Sequence, residues 1–141
     1  MMVDIGRLRG LLDRRREVEA ELRRLRDLGR QPVREDVDRL NSVKYLFVLG
    51  AEIAIDAGQH VIAAEGLRAP ETFAGVFDEL QRGQWLPSDL ATSLGEMAKF
   101  RNLLVHGYAD VDDDRVLEIL HGGAVDELAR FRTELARRVD G

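Results

Sequence analysis

The chain has 141 residues, 45% of them hydrophobic and 33% charged, which is the size and balance of one domain able to bury its own core. It contains no cysteine, which excludes disulfides and thiolate metal sites. A net charge of −5 argues against nucleic-acid binding by the whole surface, so any such contact is expected to be a local cleft.

The apolar pattern is helical from end to end, and alternating β-branched runs are absent, which predicts an all-α fold. The opening Met1-Met2-Val3-Asp4-Ile5-Gly6-Arg7 leads into a strongly charged helix and does not read as a signal peptide. No apolar run reads as a membrane span: the longest candidate, Tyr45 to Ala64, contains Glu52, Asp56 and His60. The expected location is the cytoplasm, with no membrane contact. Of the 21 basic residues only Lys44 and Lys99 are lysine. Arginine is the better phosphate fork, although codon bias in a GC-rich genome accounts for the skew without any RNA.

A first helix is predicted from about Asp4 to Leu28. Leu8, Leu11, Val18, Leu22 and Leu25 follow heptad spacing, and Arg15 interrupts the seam. Gly29 and Pro32 are expected to end it. Its other faces carry Arg14-Arg15-Arg16 and Arg23-Arg24-Leu25-Arg26, interleaved with Glu17, Glu19 and Glu21. Alternation of acid and base favours a solvated, ion-paired face over a basic flank for RNA.

A second helix is predicted from about Arg34 to Ala64. Val37, Leu40, Val43, Leu46, Phe47, Leu49, Ile53, Ile55, Val61 and Ile62 wrap most of its circumference, which makes it central and buried. Glu52 and Asp56 lie four residues apart and share a face of it. Two readings stand for this acidic pair: it orients a cation near a cleft, or it faces water or an unrelated arginine. Gly66 to Pro70 reads as a loop. A short helix with Phe73, Val76, Phe77 and Leu80 at helical spacing follows, closed by Gly83. Trp85 lies in a connector and is expected to pack into a small core. Pro87, Ser88 and Asp89 read as a helix start.

The fourth helix is predicted from about Asp89 to Val105, with Leu90, Leu94, Met97, Leu104 and Val105 inward and Gly107 as its stop. A last helix begins near Asp112-Asp113-Asp114, is interrupted at Gly122-Gly123 and continues from Ala124 to Val139. The three aspartates read as capping residues, because acids favour a helix N-terminus. No zinc spacing links His60, His106 and His121, and no metal or cofactor is expected.

The densest chemistry lies in Arg101-Asn102-Leu103-Leu104-Val105-His106-Gly107-Tyr108. It supplies a fixed cation, an amide, an imidazole that titrates near neutrality and a phenol. In a straight helix Arg101 and His106 point well over a right angle apart. Two arrangements escape that limit. The helix loosens at His106 before Gly107, or two copies of the segment meet across a symmetric dimer and each site draws on both. With RNA as substrate, the 2′-hydroxyl attacks the adjacent phosphorus, His106 moves a proton and Arg101 offsets charge on the phosphorus. On residue types alone, a histidine at a helix end also reads as a cap or a surface residue.

This stretch resembles the signature of the HEPN superfamily, specifically the HepT-like toxins: an arginine, four residues, a histidine, any residue, a tyrosine. The asparagine after the arginine and the Glu52/Asp56 pair on a long upstream helix are also similar. The resemblance runs from about Val37 to Leu120 within a single domain covering residues 1–141, and nothing in the motif departs from the family pattern. It implies a HEPN-like bundle of about five helices that dimerises through the motif region. It implies a metal-independent endoribonuclease toxin with Arg101 and His106 catalytic and Asn102, Glu52 and Asp56 supporting. It also implies a minimal nucleotidyltransferase antitoxin that transfers AMP to Tyr108, where bulk and negative charge would block substrate phosphate. Two other readings stand beside it: a non-catalytic helical subunit that presents nucleotide or substrate to a nucleotidyltransferase, and a plain helical interaction module.

Overall fold

The computed structural model describes residues 4–107 and 111–140. Among them there are seven helices and no strand: α1 (Ile5–Asp27), α2 (Arg30–Arg34), α3 (Val37–Ala64), α4 (Phe73–Arg82), α5 (Ser88–His106), α6 (Asp113–His121) and α7 (Ala124–Asp140). The all-α expectation is met. The sequence suggested about five helices, and the difference has two sources. Pro32 does not stop the chain but sits in the first turn of α2, where a missing N–H costs nothing. Asp36 then caps α3 separately, its carboxylate accepting from the backbone N–H groups of Asp38 and Arg39. At the other end, Gly122 adopts an extended conformation, so α6 and α7 are two helices rather than one interrupted helix.

α1 is capped by Asp4, whose carboxylate accepts from the N–H of Arg7 at 3.0 Å. The backbone N–H of Asp4 donates to Nε2 of His60, which ties the start of α1 to the far end of α3. α1 therefore runs antiparallel to α3. Its buried seam is Leu8, Leu12, Arg15, Val18, Leu22 and Leu25; Leu12 takes the place expected for Leu11, which is half-buried. Gly29, with φ +97°, makes the turn into α2 in a region that side chains disfavour.

α3 is the central helix. Phe47, Val43, Ala51, Ala54, Val61 and Ile62 are buried in a core shared by all seven helices. By length and composition alone α3 would qualify to cross a membrane, which the shorter window Tyr45–Ala64 did not suggest. Its apolar residues are instead buried against α1, α4 and α5, as in the core helix of a folded bundle. Burying each large side chain there stabilises the fold by roughly 1.5–3 kcal/mol. Phe47 meets Phe100 of α5 edge to face, with ring centroids 6.1 Å apart, and Phe77 of α4 meets Phe131 of α7 in the same way at 5.7 Å. Val37, expected to be part of the apolar wrap, is exposed because it is the first residue of the helix, before the packed region. At Gly58 a Cβ would lie 2.5 Å from Cγ1 of Val76, so the missing side chain sets how closely α4 approaches α3.

One feature of the core was misread in the sequence. Arg15 and Glu19, assigned to a solvated face, are fully buried. Nε of Arg15 donates to the carbonyl of Leu128, its Nη1 donates to the carbonyl of Gly50, and its guanidinium lies 4.9 Å from the Phe131 ring centroid. Glu19 accepts two bonds from Nε of Arg132 at 3.0 and 3.2 Å and lies one helical turn from Arg15. Burial pushes Arg15 down to about 9; Glu19 opposes this shift and Arg132 adds to it. The rest of the α1 surface is partly as expected: Arg24 pairs with Glu21, and Arg23 and Arg26 reach Asp126.

The other elements close around the core. Thr72 caps α4 through a bond from the Gly75 N–H to its Oγ1. Trp85 packs against the core as expected, and Arg138 of α7 covers its ring at 4.7 Å while donating to the carbonyl of Gln84. The three aspartates have structural work. Asp112 caps α6 by accepting from the N–H of Asp114, Asp113 pairs with Lys44 at 3.0 Å, and Asp114 pairs with Arg34 and Arg30.

Candidate active site

The last turns of α5 meet the middle of α3 and the first turn of α4, and Arg101 stands at that junction. Its side chain is 14% exposed. Nη2 donates to Oε1 of Glu52 on α3 at 2.8 Å, and Nη1 donates to Oδ1 of Asn102 at 3.0 Å. The guanidinium carbon lies over the ring of Phe73, 5.2 Å from its centroid. Nε is buried and has no hydrogen-bond partner among the described residues. Carboxylate, amide and ring thus fix the plane of the cation from three sides.

The acidic pair on α3 divides between its two readings. Glu52 holds Arg101, as the first reading required. Asp56, one turn further along, is exposed and makes no ion pair with Arg101 among the described residues. Its neighbour on the same face captured the arginine, and Asp56 looks into water.

His106 is exposed at the last position of α5. Of the two arrangements the sequence allowed, loosening of the helix at His106 does not occur. α5 stays helical through His106, and the N–H of Gly107 still bonds to the carbonyl of Leu103 at 2.8 Å. A regular helix separates positions 101 and 106 by about 140° around its axis. Arg101 accordingly faces α3 and α4 while His106 faces out, and among the described residues no bond joins them. Leu103 and Val105, which precede His106, are 48% and 44% exposed. Val105 was expected to face inward, but the core side of this last stretch is taken by Phe100 and Leu104. Tyr108 lies outside the described residues.

The remaining histidines are apart from this junction. His60 is the acceptor for the start of α1, and His121 ends α6. Burial holds the His121 imidazole below its usual range, helped by the charges of Arg30 and Arg26. Among the described residues, no three histidine or acidic side chains gather in a way that would hold a metal ion. Phe73 was missed by sequence reasoning. Its spacing with Val76, Phe77 and Leu80 made it look like core, yet it is 39% exposed and its ring is the wall of the arginine site. The only hint was its place directly after the Thr72 cap, at the very end of the stripe.

A family model described as Ribonuclease HepT-like matches residues 16–135. A tri-AMPylated HEPN toxin of Shewanella oneidensis, solved in complex with its MNT antitoxin, superposes with a TM-score of 0.85 at 19% identity over 96% of this chain and 99% of that one. A mutant of the MntA–HpeT toxin–antitoxin gives 0.82 at 18% identity over 92% and 97%. YutE of Bacillus subtilis, described as a cytosolic protein of unknown function, gives 0.82 at 17% identity over 98% and 92%. These likenesses establish the fold. No curated protein matches the sequence significantly.

Proposed function

Because this chain belongs to the Ribonuclease HepT-like family, we propose that it is a metal-independent endoribonuclease, the toxin of a toxin–antitoxin pair. The observation that carries the reading is the fixed guanidinium of Arg101, held by Glu52, Asn102 and Phe73 five positions before an exposed histidine. Such a cation suits a phosphate whose charge grows in the transition state, because it needs no reorganisation when the charge develops. The ribose 2′-oxygen forms a bond to phosphorus while the bond from phosphorus to the 5′-oxygen breaks. His106 takes the 2′-hydroxyl proton or gives one to the leaving 5′-oxygen. The products are a 2′,3′-cyclic phosphate and a 5′-hydroxyl. Asn102 acts through the arginine it touches.

The active unit in this reading is a homodimer. One regular helix aims Arg101 and His106 in different directions, so the histidine of one copy serves beside the arginine of the other. The exposed Leu103 and Val105 give the motif face apolar surface to bury in that pairing. The partner that silences the enzyme is a minimal nucleotidyltransferase. The Shewanella toxin of the same fold is described as tri-AMPylated and bound to an MNT antitoxin. By the same chemistry the phenol oxygen of Tyr108 attacks the α-phosphorus of ATP, pyrophosphate leaves, and the added phosphodiester repels substrate from Arg101. The working compartment is the cytoplasm, where RNA and antitoxin are both found.

The test is cleavage of end-labelled RNA in EDTA by wild type and His106→Ala, each shown by mass to be unmodified. Cleavage by wild type alone, leaving cyclic phosphate ends, is the expected result. An unmodified dimer that cuts nothing would instead favour a non-catalytic subunit that presents nucleotide or substrate to the nucleotidyltransferase.

A further inference from the structure

Among the described residues most aromatic rings are committed to packing, while Tyr45 on α3 is 64% exposed and has no part in the arginine site. Phe47, Phe77, Phe100 and Phe131 are buried in the core, and the Trp85 ring is covered by Arg138. Phe73 differs. It is the first residue of α4, it is 39% exposed, and its ring lies 5.2 Å from the guanidinium carbon of Arg101. The guanidinium is gripped by Glu52 and Asn102 and lies over the Phe73 ring. The ring therefore lies beside the cation that an anion would meet, and Phe73 remains 39% exposed.

A nucleotide places an aromatic base a few bonds from its phosphate. A cation that grips the phosphate next to an open aromatic ring matches both parts of one nucleotide, and it is the combination by which unpaired strands are held. A base inside a duplex is already stacked and cannot reach such a ring. We infer that Phe73 is a nucleobase platform, stacking a base next to the phosphate held by Arg101 and restricting the site to unpaired RNA. This rests on the ribonuclease reading and adds to it a residue that holds the substrate's base. Phe73 is a specificity residue in this scheme, since it touches the substrate base and not the reacting atoms. It tolerates any base, because every base has a face to stack.

The test uses the full-length, unmodified protein and end-labelled oligoribonucleotides with one cleavage site. Each is supplied intact, with an abasic residue on either side of the site, or annealed to its complement. Wild type, Phe73→Leu and Phe73→Trp are compared after their helicity and Tm are matched. The expected result is that Phe73→Leu raises KM on the intact strand by about 10-fold, that Phe73→Trp does not, and that wild type on one abasic strand falls to the level of Phe73→Leu. Phe73→Leu should lose nothing further on that abasic strand, and the duplex should be cut poorly by all three. Equal losses of kcat on intact and abasic strands would overturn the platform and leave Phe73 as a wall that only positions Arg101. Wild-type kinetics in Phe73→Leu would overturn it outright. If wild type cuts no strand, the ribonuclease reading fails separately. Anisotropy binding of the same strands then decides the platform, which survives only if Phe73→Leu loses affinity for the intact strand and not for the abasic one.

Discussion

Oε1 of Glu52 and Nη2 of Arg101 stand 2.8 Å apart across the α3–α5 contact, joining residues 49 positions apart in the chain. The carboxylate is 43% exposed and the guanidinium 14%, so the arginine is the enclosed partner and the glutamate aims it. Exposed ion pairs contribute little to stability, within about 1 kcal/mol, but a misaimed catalytic group is costly. Glu52→Ala is therefore expected to leave Tm within a few degrees of wild type and lower kcat by roughly 10- to 100-fold. Thermal melts together with steady-state cleavage check both halves. A large loss of Tm with unchanged kcat would make Glu52 a structural residue only.

The regular helix through His106 leads to a complementation test. Arg101→Ala and His106→Ala should each be inactive. Mixed by unfolding and refolding together, half of the random dimers are hybrids, and each hybrid has one intact composite site of two. Cleavage should return to about a quarter of the wild-type rate. If each site were built within one chain, no hybrid would hold an intact site and mixing would restore nothing.

The sequence predicted the helical class, the central place of α3 and the Arg101–His106 segment, because those depend on periodicity and on neighbouring residues. It did not predict the burial of Arg15 and Glu19. Their spacing also suits a solvated face, and what neutralises them is Arg132, 113 residues from Glu19, together with carbonyls of Gly50 and Leu128. Nor did it choose between Glu52 and Asp56, which share a face of α3. Only the approach of α5 decides which carboxylate meets the arginine. Val37 and Val105 were misassigned because apolar character alone does not fix the side: Val37 precedes the packed part of α3, and at the end of α5 the core side is taken by Phe100 and Leu104.

The buried triad gives a stability prediction. Glu19→Gln leaves Arg15 and Arg132 facing each other without a counter-charge. Breaking a buried pair in this way costs about 3–5 kcal/mol. Urea denaturation of the variant should show a midpoint shifted well below wild type. A shift of under a tenth of that energy would mean that the two arginines find other partners or water.

His121 gives a pH prediction. Burial, with Arg30 and Arg26 adding to it, lowers its pKa in the folded chain below the value of about 6.5 for the unfolded chain. Below that pH the unfolded chain takes up the proton first. The contribution of His121 to stability is thus fully present above about pH 6.5 and declines as the pH falls through the window below it. His121→Gln should lose less Tm than wild type between pH 7.5 and 5. Parallel Tm curves for the two proteins would remove His121 from the acid response.

Arg138 near the end of α7 covers Trp85 and bonds to the carbonyl of Gln84, a residue with φ +64° in a region unfavourable to its side chain. The connector it holds joins α4, which carries Phe73, to α5, which carries Arg101 and His106. The last helix is in effect a guy-rope, anchored far along the chain and steadying the hinge on which both walls of the arginine site are hung. A bulky fusion at the C-terminus would load that rope, while the site itself would look untouched in any list of altered residues.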